Sequence, residues 1–560
     1  MDQLKNRKIN VKIILVIIAL IVIGAGLAAT VGSLKTSPEL KEAGFTALKN
    51  GTGTVVKDES RKQRLVIAVD TIDGCLNPAF ATAMADRMAC EMIYEPLAKV
   101  HTDGSFEPVL AEQVDWDQEK LTMSIKLKEG ILFSDGTPLT ADDVCASIGI
   151  RCLAEYNMDV DSVYFHIAGA WDMNEQKTQG ISGIRKADEN TVEIVFMDAN
   201  RRNWDILETN IQKNRFADIG QQLTGFRNVT EVYNSGIGTG PYMADTISQG
   251  ISICLQANPS YRGEMKDIKI VELAQINFYN MKEAIEKQEI DVAQYTANSE
   301  QFDTLYQGKQ FNVYAKPTDN IYAIGFNLNN VFLKDEKVRQ AVAYAFNKEG
   351  ALNKEWEMKI APTNVIGYGS GPSTELLETK AVSYDKGKAE SILKEAGMAG
   401  RIILRLPVLK ENEFQMHMAS CLKKDLEAVG FTVEVNECTS EEYVQALYVE
   451  DKFDIYLFND TMNYDWATFQ NMSRLRDGMP VAFLDNDYVE LVSRMETSMN
   501  QEEYAAALTE LSDKFYEKMP VVPFGRVQRY LSISHDLSGY GASPDALMLE
   551  NVNLIQSDAK

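Results

Sequence analysis

The chain has 560 residues, 45% of them hydrophobic and 24% charged, with a formal net charge of −25. That apolar share is enough for real cores, three to four domain-sized units of them, and excludes an intrinsically disordered chain. The acidic surface repels phosphate backbones, which excludes nucleic acid as a partner and weakly favours cationic or zwitterionic solutes.

Residues 1–12 carry Lys5, Arg7, Lys8 and Lys12, and no charge follows from Ile13 to Leu34. As a helix, such a segment crosses the ~30 Å of hydrocarbon in a bilayer. The basic flank predicts that everything after Leu34 lies outside the cell. Residues 13–34 therefore read as a transmembrane anchor, with cleavage near Ala28, in Gly26-Leu27-Ala28-Ala29, as the alternative. No cysteine occurs between this segment and Cys75, so a lipid anchor on a cysteine just after it is excluded. Residues 35–61 are polar, hold Pro38, Gly51 and Gly53, and predict a tether between membrane and domain.

The first predicted strand is Arg64 to Asp70, R-L-V-I-A-V-D. Leu121 to Leu127 and Thr191 to Phe196 alternate with period two and predict two more. Between them, Asp135-Gly136 marks a turn, and Thr140 with Asp143 three residues on marks a capped helix start. Gly236 to Tyr242 reads G-I-G-T-G-P-Y. A phosphate loop leads into a helix, whereas Pro241 and the missing Lys-Ser/Thr pair predict a tight turn before a strand. Helical spacing recurs at Val338 to Phe346, Lys386 to Ala396 and Phe414 to Val429. Gly367 to Pro372 lacks the spacing of a serine nucleophile elbow. Seven cysteines, an odd number without a C-x-x-C pair, exclude a fully paired disulfide framework. His101, His166, His417 and His535 stand apart from one another and from cysteine, so no metal site and no catalytic constellation emerges. The chain reads as a non-enzyme without a cofactor.

The stretch Phe458 to Trp466, F-N-D-T-M-N-Y-D-W, follows the predicted strand Phe453 to Leu457. Loops at the carboxyl ends of strands are where open α/β sheets bind ligands, and this one mixes acids, amides and aromatics.

Several motifs, taken in order, resemble the oligopeptide/dipeptide-binding family of ABC-transporter solute receptors. Phe106 to Glu112, F-E-P-V-L-A-E, is similar to its P-x-L-A-E-S-W element. Leu127 to Val144 is similar to its L-R-D-G…D-G-T-P-L-T-A-E-D-V run, Gly238 to Tyr242 to G-T-G-P-Y, and Asn258 to Tyr261 to N-P-x-Y. Gly325-Phe326-Asn327 with Val338 to Glu349, Tyr384 to Gly397, Leu422 to Val435 and Met519 to Pro523 continue the series. The resemblance implies an α/β, periplasmic-binding-protein-like fold of three lobes in two hinged halves. Lobe I would hold residues 62–94, 219–312 and 525–560, lobe II 95–218, and lobe III 313–524.

It further implies a monomeric ectodomain at the outer face of the membrane. A peptide or similar small polar solute would be captured by cleft closure and passed to ABC permease subunits. A non-peptide solute (a metal chelate, sugar or opine) and a membrane-anchored sensory or scaffold role are the alternatives. In the family an acid in the loop after a lobe III strand pairs with the peptide ammonium. The best-matching position here is Asn463, an amide without negative charge, flanked by Asp460 and Asp465, of which Asp465 is the preferred substitute. Tyr464 and Trp466 are expected as cleft aromatics, with Tyr322 beside them, and Asn77 where the family's L-D-P element lines the cleft.

Overall fold

The computed structural model describes residues 40–539 except 42–43, 53, 58–60, 101–104, 154–162, 176, 179, 215–234, 266, 297–300, 354–359, 364–381, 399, 401, 450–451, 462–484 and 500, together with 541–542, 547–548 and 553–554. The expected anchor, residues 13–34, lies outside these, as does Gly367 to Pro372. Among the described residues no helix is long and apolar enough to cross a membrane.

Thr46–Lys49 forms β1 and Arg64–Val69 forms β2, the latter from the β-branched run predicted as the first strand. The described part of the intervening stretch departs from the free tether expected over 35–61. Leu40 and Phe45 are buried. β1 pairs antiparallel with residues 313–315, and the Gly51 amide donates to Asn312 Oδ1 at 2.8 Å. Lys57 Nζ stands 3.0 Å from Asp291 and 3.1 Å from Asp536, and Arg61 stands 2.8 Å from the second oxygen of Asp291. Asp291 is buried and also accepts the Val66 amide. A buried carboxylate needs counter-ions, and the polar stretch supplies them. Residues that look solvated in sequence are thus sewn to the domain.

Met84–Ile93 (α1) follows β2. The strands β3 (Ala98–Val100) and β4 (Phe106–Pro108) then lead into an antiparallel sheet of order β5-β6-β8-β7. Its strands are β5 (Ala111–Asp117), β6 (Thr122–Leu127), β7 (Ile184–Lys186) and β8 (Thr191–Val195). Helix α2 (Ala141–Arg151) starts where the capping signal placed it, the Asp143 carboxylate accepting from both the amide and the hydroxyl of Thr140 at 2.8 Å. The 3-10 helix Arg201–Glu208 seats Ile206 and Leu207 in the same core as Ile125, Phe133, Val144 and Ile194.

After the glycine run, β9 (Tyr242–Ser248) begins as expected. A Cβ on Gly238 would lie 1.9 Å from the Ile93 carbonyl oxygen, and the Gly240 amide donates to that same oxygen at 2.9 Å. The glycines therefore serve close backbone approach between α1 and β9. Strands β10 (Ser252–Ala257) and β11 (Ile270–Gln275), helix α3 (Phe278–Glu286), strand β12 (Val292–Thr296) and helix α4 (Phe302–Gln307) build on β2. β2 runs parallel to both β11 and β12.

Two long strands then join this body to the last one. β13 (Phe311–Phe326) has 16 residues and β18 (Val521–Ser534) has 14. Residues 311–317 of β13 pair with 528–534 of β18, and 321–325 with 521–526, the register slipping between Pro317 and Ile321. The sheet has the order β1-β13-β18-β12-β2-β11-β10-β9, with β14 (Ile360–Pro362) on β18 and β17 (Ile455–Thr461) on β13. Around their far halves stand α5 (Glu336–Ala345), α6 (Lys386–Glu395), β15 (Ile403–Leu409), α7 (Glu413–Glu427), β16 (Thr432–Cys438), α8 (Asn486–Thr497) and α9 (Gln501–Lys518). Their cores gather Ile324, Val338, Leu404 and Leu422 on one side, and Ile321, Val492 and Leu511 on the other.

Buried Asp454 locks this last body. It accepts from the Arg405 amide at 2.8 Å, from Arg405 Nε at 2.9 Å and from Asn330 Nδ2 at 2.7 Å. Burial pushes its carboxyl up, but these donors outweigh it and hold the group below the usual carboxylate range. With the folded value depressed, its stabilisation is present above about pH 4 and lost as pH falls through the folded value. Asp454→Ala is expected to cost roughly 1–3 kcal/mol at pH 7, because it leaves the Arg405 amide and Asn330 without their acceptor while half-exposed Arg405 regains water. Denaturant unfolding at a series of pH values should show the gap to the parent protein narrowing below about pH 4.

Candidate functional site

The parallel strands β2, β11 and β12 end on the same side of the sheet, where open α/β folds leave room for ligands. A hollow of about 350 Å³ lies there, lined by Val69, Asp70, Thr71 and Asp73 after β2, by Thr82, Ala83 and Met84 at the start of α1, and by Gln294 of β12. Asp70, Thr71 and Asp73 are exposed. Their loop is held from beneath by buried Asp86 of α1, which accepts the Gly74 amide at 3.2 Å and the Cys75 amide at 2.8 Å. Burial pushes the Asp86 carboxyl up while those amides pull it down. The Ile72 amide donates to Gln275 Oε1 of β11 at 3.1 Å. The loop is thus fixed at the amides of Ile72, Gly74 and Cys75, and its two exposed carboxylates face solvent. Cap residue Ala83, also in the lining, offers the first-turn amides of α1 no side-chain acceptor. Carboxylates suit an ammonium or guanidinium group, and helix-start amides suit a carbonyl or carboxylate. Together they suit a zwitterionic solute.

A second charged group sits where the long strands cross. Arg526 of β18 is buried, pairs across to Ile321 and Ala361, and donates from Nη1 to the Thr318 carbonyl at 3.1 Å. Ile321 in turn pairs with Asp460 of β17.

Of the residues singled out in the sequence, Asn463, Tyr464, Asp465 and Trp466 lie outside the described residues. Asp460 is a backbone partner in β17. Tyr322 is half-buried, its ring 4.7 Å from Phe414 and 6.0 Å from Phe524, so it packs on the core of the last body. Asn77 is wholly buried: its Oδ1 accepts the Ala79 amide at 3.0 Å and Gln212 Nε2 at 3.1 Å. Gln212 reaches on to Ser147 of α2, and Arg151 of α2 donates to the Pro78 carbonyl at 2.7 Å. Asn77 and Pro78 therefore join the body of β2 to that of α2. Sequence reading missed Asp70 and Asp73, although their place just past the first strand was a usable signal, and Arg526, one of two arginines in an otherwise uncharged strand. His417 bonds the Ala351 carbonyl at 2.8 Å. Among the described residues no cluster of His, Cys, Asp and Glu is placed to hold a metal, and all seven cysteines are free thiols.

The profile of a family described as bacterial extracellular solute-binding proteins, family 5 Middle, matches residues 105–477. A dipeptide-binding protein of Pseudomonas aeruginosa is 22% identical over 460 residues, 78% of this chain and 84% of that protein. Among solved structures, a periplasmic murein tripeptide binding protein in its unliganded open form superposes with a TM-score of 0.72 at 16% identity, covering 91% of this chain and 98% of that one. An ABC transporter substrate binding protein of Listeria monocytogenes gives 0.68 at 19% identity, covering 88% and 99%. The periplasmic-binding-protein-like fold is shared throughout.

Asn77→Ala would leave the Gln212 amide and the Ala79 N–H without their acceptor in a dry junction. The expected loss is about 1–3 kcal/mol of unfolding free energy, read by denaturant titration.

Proposed function

Because the chain belongs to family 5 of the bacterial extracellular solute-binding proteins, more than half of its length matching that profile, we propose that it is an extracytoplasmic receptor that captures a peptide and delivers it to an ABC importer. The observation that carries this reading is the hollow beside β2, whose lining brings Asp70 and Asp73 together with the start of α1. Relatives named for peptide binding, such as the Pseudomonas dipeptide-binding protein, support the choice of ligand. The body of β2, β11 and β12 corresponds to lobe I (62–94, 219–312, 525–560), that of β5 to β8 to lobe II (95–218), and the last to lobe III (313–524). Closing the halves over the ligand needs no covalent chemistry, only a ligand that binds the closed form better than the open one. An extended peptide presents its main chain for strand-like pairing, so side-chain choice is broad. Asp465, with Asn463 and Asp460 beside it, takes the peptide ammonium, and Tyr464 and Trp466 cover the solute. Residues 13–34 anchor the receptor at the outer face of the membrane, and the closed form docks on the permease.

The test is a thermal-shift and calorimetric screen of the chain from residue 35 onward, which keeps the Lys57 and Arg61 contacts, against di- to decapeptides, amino acids, sugars and metal chelates. A peptide at a hundred times its Kd should stabilise by about 2.7 kcal/mol. Blocking the peptide N-terminus and Asp465→Asn should each weaken that hit by about tenfold or more, and by little more in combination. Hits confined to sugars or chelates would overturn the peptide reading.

A further inference from the structure

Lobes II and III touch away from the strands that carry the chain between the halves. Arg201 opens the 3-10 helix Arg201–Glu208, which is rooted in the lobe II core by Ile206 and Leu207. Its start is fixed by Asn200, whose side chain accepts the Arg202 amide at 3.0 Å. Tyr504 projects from α9 and packs on the lobe III core of Ile321, Tyr488 and Leu511. The Arg201 guanidinium carbon lies 4.0 Å from the centroid of the Tyr504 ring. Helix α8, paired with α9, approaches the same 3-10 helix. Both side chains are half-buried, so the guanidinium has shed part of its water on the ring face. Each partner sits on a rigid element with its own core, and a shift of one body relative to the other separates them.

We propose that Arg201 and Tyr504 form a latch that holds lobe II against lobe III and biases the receptor toward its closed state. The proposal rests on the reading of the chain as a hinged receptor, but its test needs no ligand. Bias of this kind raises the apparent affinity for any solute that binds the closed form, because less of the binding free energy goes into closure. It also slows release.

Small-angle scattering of the ligand-free protein decides the matter. Arg201→Ala and Tyr504→Ala should each shift the closed-to-open ratio between about twofold and thirtyfold toward open, seen as a larger radius of gyration. The double variant should go no further than either single one, and Tyr504→Phe, which keeps the ring, should match the parent. Far-ultraviolet circular dichroism and the melting temperature confirm that each variant is folded. An unchanged radius in both folded alanine variants, or additive effects in the double, overturns the latch. A failed ligand screen would touch the peptide reading and leave these radii as they are.

Discussion

Everything in this molecule hangs on the pairing of β13 with β18. One end of the ribbon is a central part of the sheet around β2, and the other end is the spine of the last body. A continuous ladder would make the two ends one rigid sheet. Instead the register slips between Pro317 and Ile321, and again between Tyr322 and Ala323. Proline brings no N–H to the ladder, so this stretch carries fewer cross-strand bonds than its flanks. Two cored bodies joined by a ribbon with a weak waist can rock without unfolding either core. The proposed cleft closure and the proposed Arg201–Tyr504 latch both rest on motion at this waist.

In a chain this acidic, the useful question about a carboxylate is what already holds it. Asp291 neutralises Lys57 and Arg61, Asp454 clamps Arg405, Asp86 holds the Gly74 and Cys75 amides, and Asp143 caps α2. Each is buried and serves folding. Asp70 and Asp73 differ in being exposed in a loop fixed by other groups.

Much of the fold was legible in the residues. Period-two alternation marked β6 and β8, helical spacing marked α5, α6 and α7, and the Thr140–Asp143 pair marked the start of α2 to the residue. These signals are local, set by which face of an element meets a core. What escaped depended on distant partners. The polar stretch before β2 reads as a linker until Asp291, 230 residues beyond Arg61, comes into reach. The length of β13 escaped because Lys316 to Asn320 interrupts its apolar pattern at the waist. Asn77 was expected at the cleft because it lies where the family's L-D-P element does, yet Gln212 arrives from another body and encloses it. The Phe458 to Trp466 stretch runs past residue 461, where the described part of β17 stops, while Asp70 and Asp73, at the hollow, were not singled out in the sequence.

The seam along β1 has a mechanical consequence. β1 lies against residues 313–315, just short of the waist, and Lys57 and Arg61 bind the same body. Any pull arriving through the N-terminal stretch is therefore delivered first to the body of β2, along the β1–β13 ladder and the Asp291 ion pairs, and not to the body that carries α8 and α9.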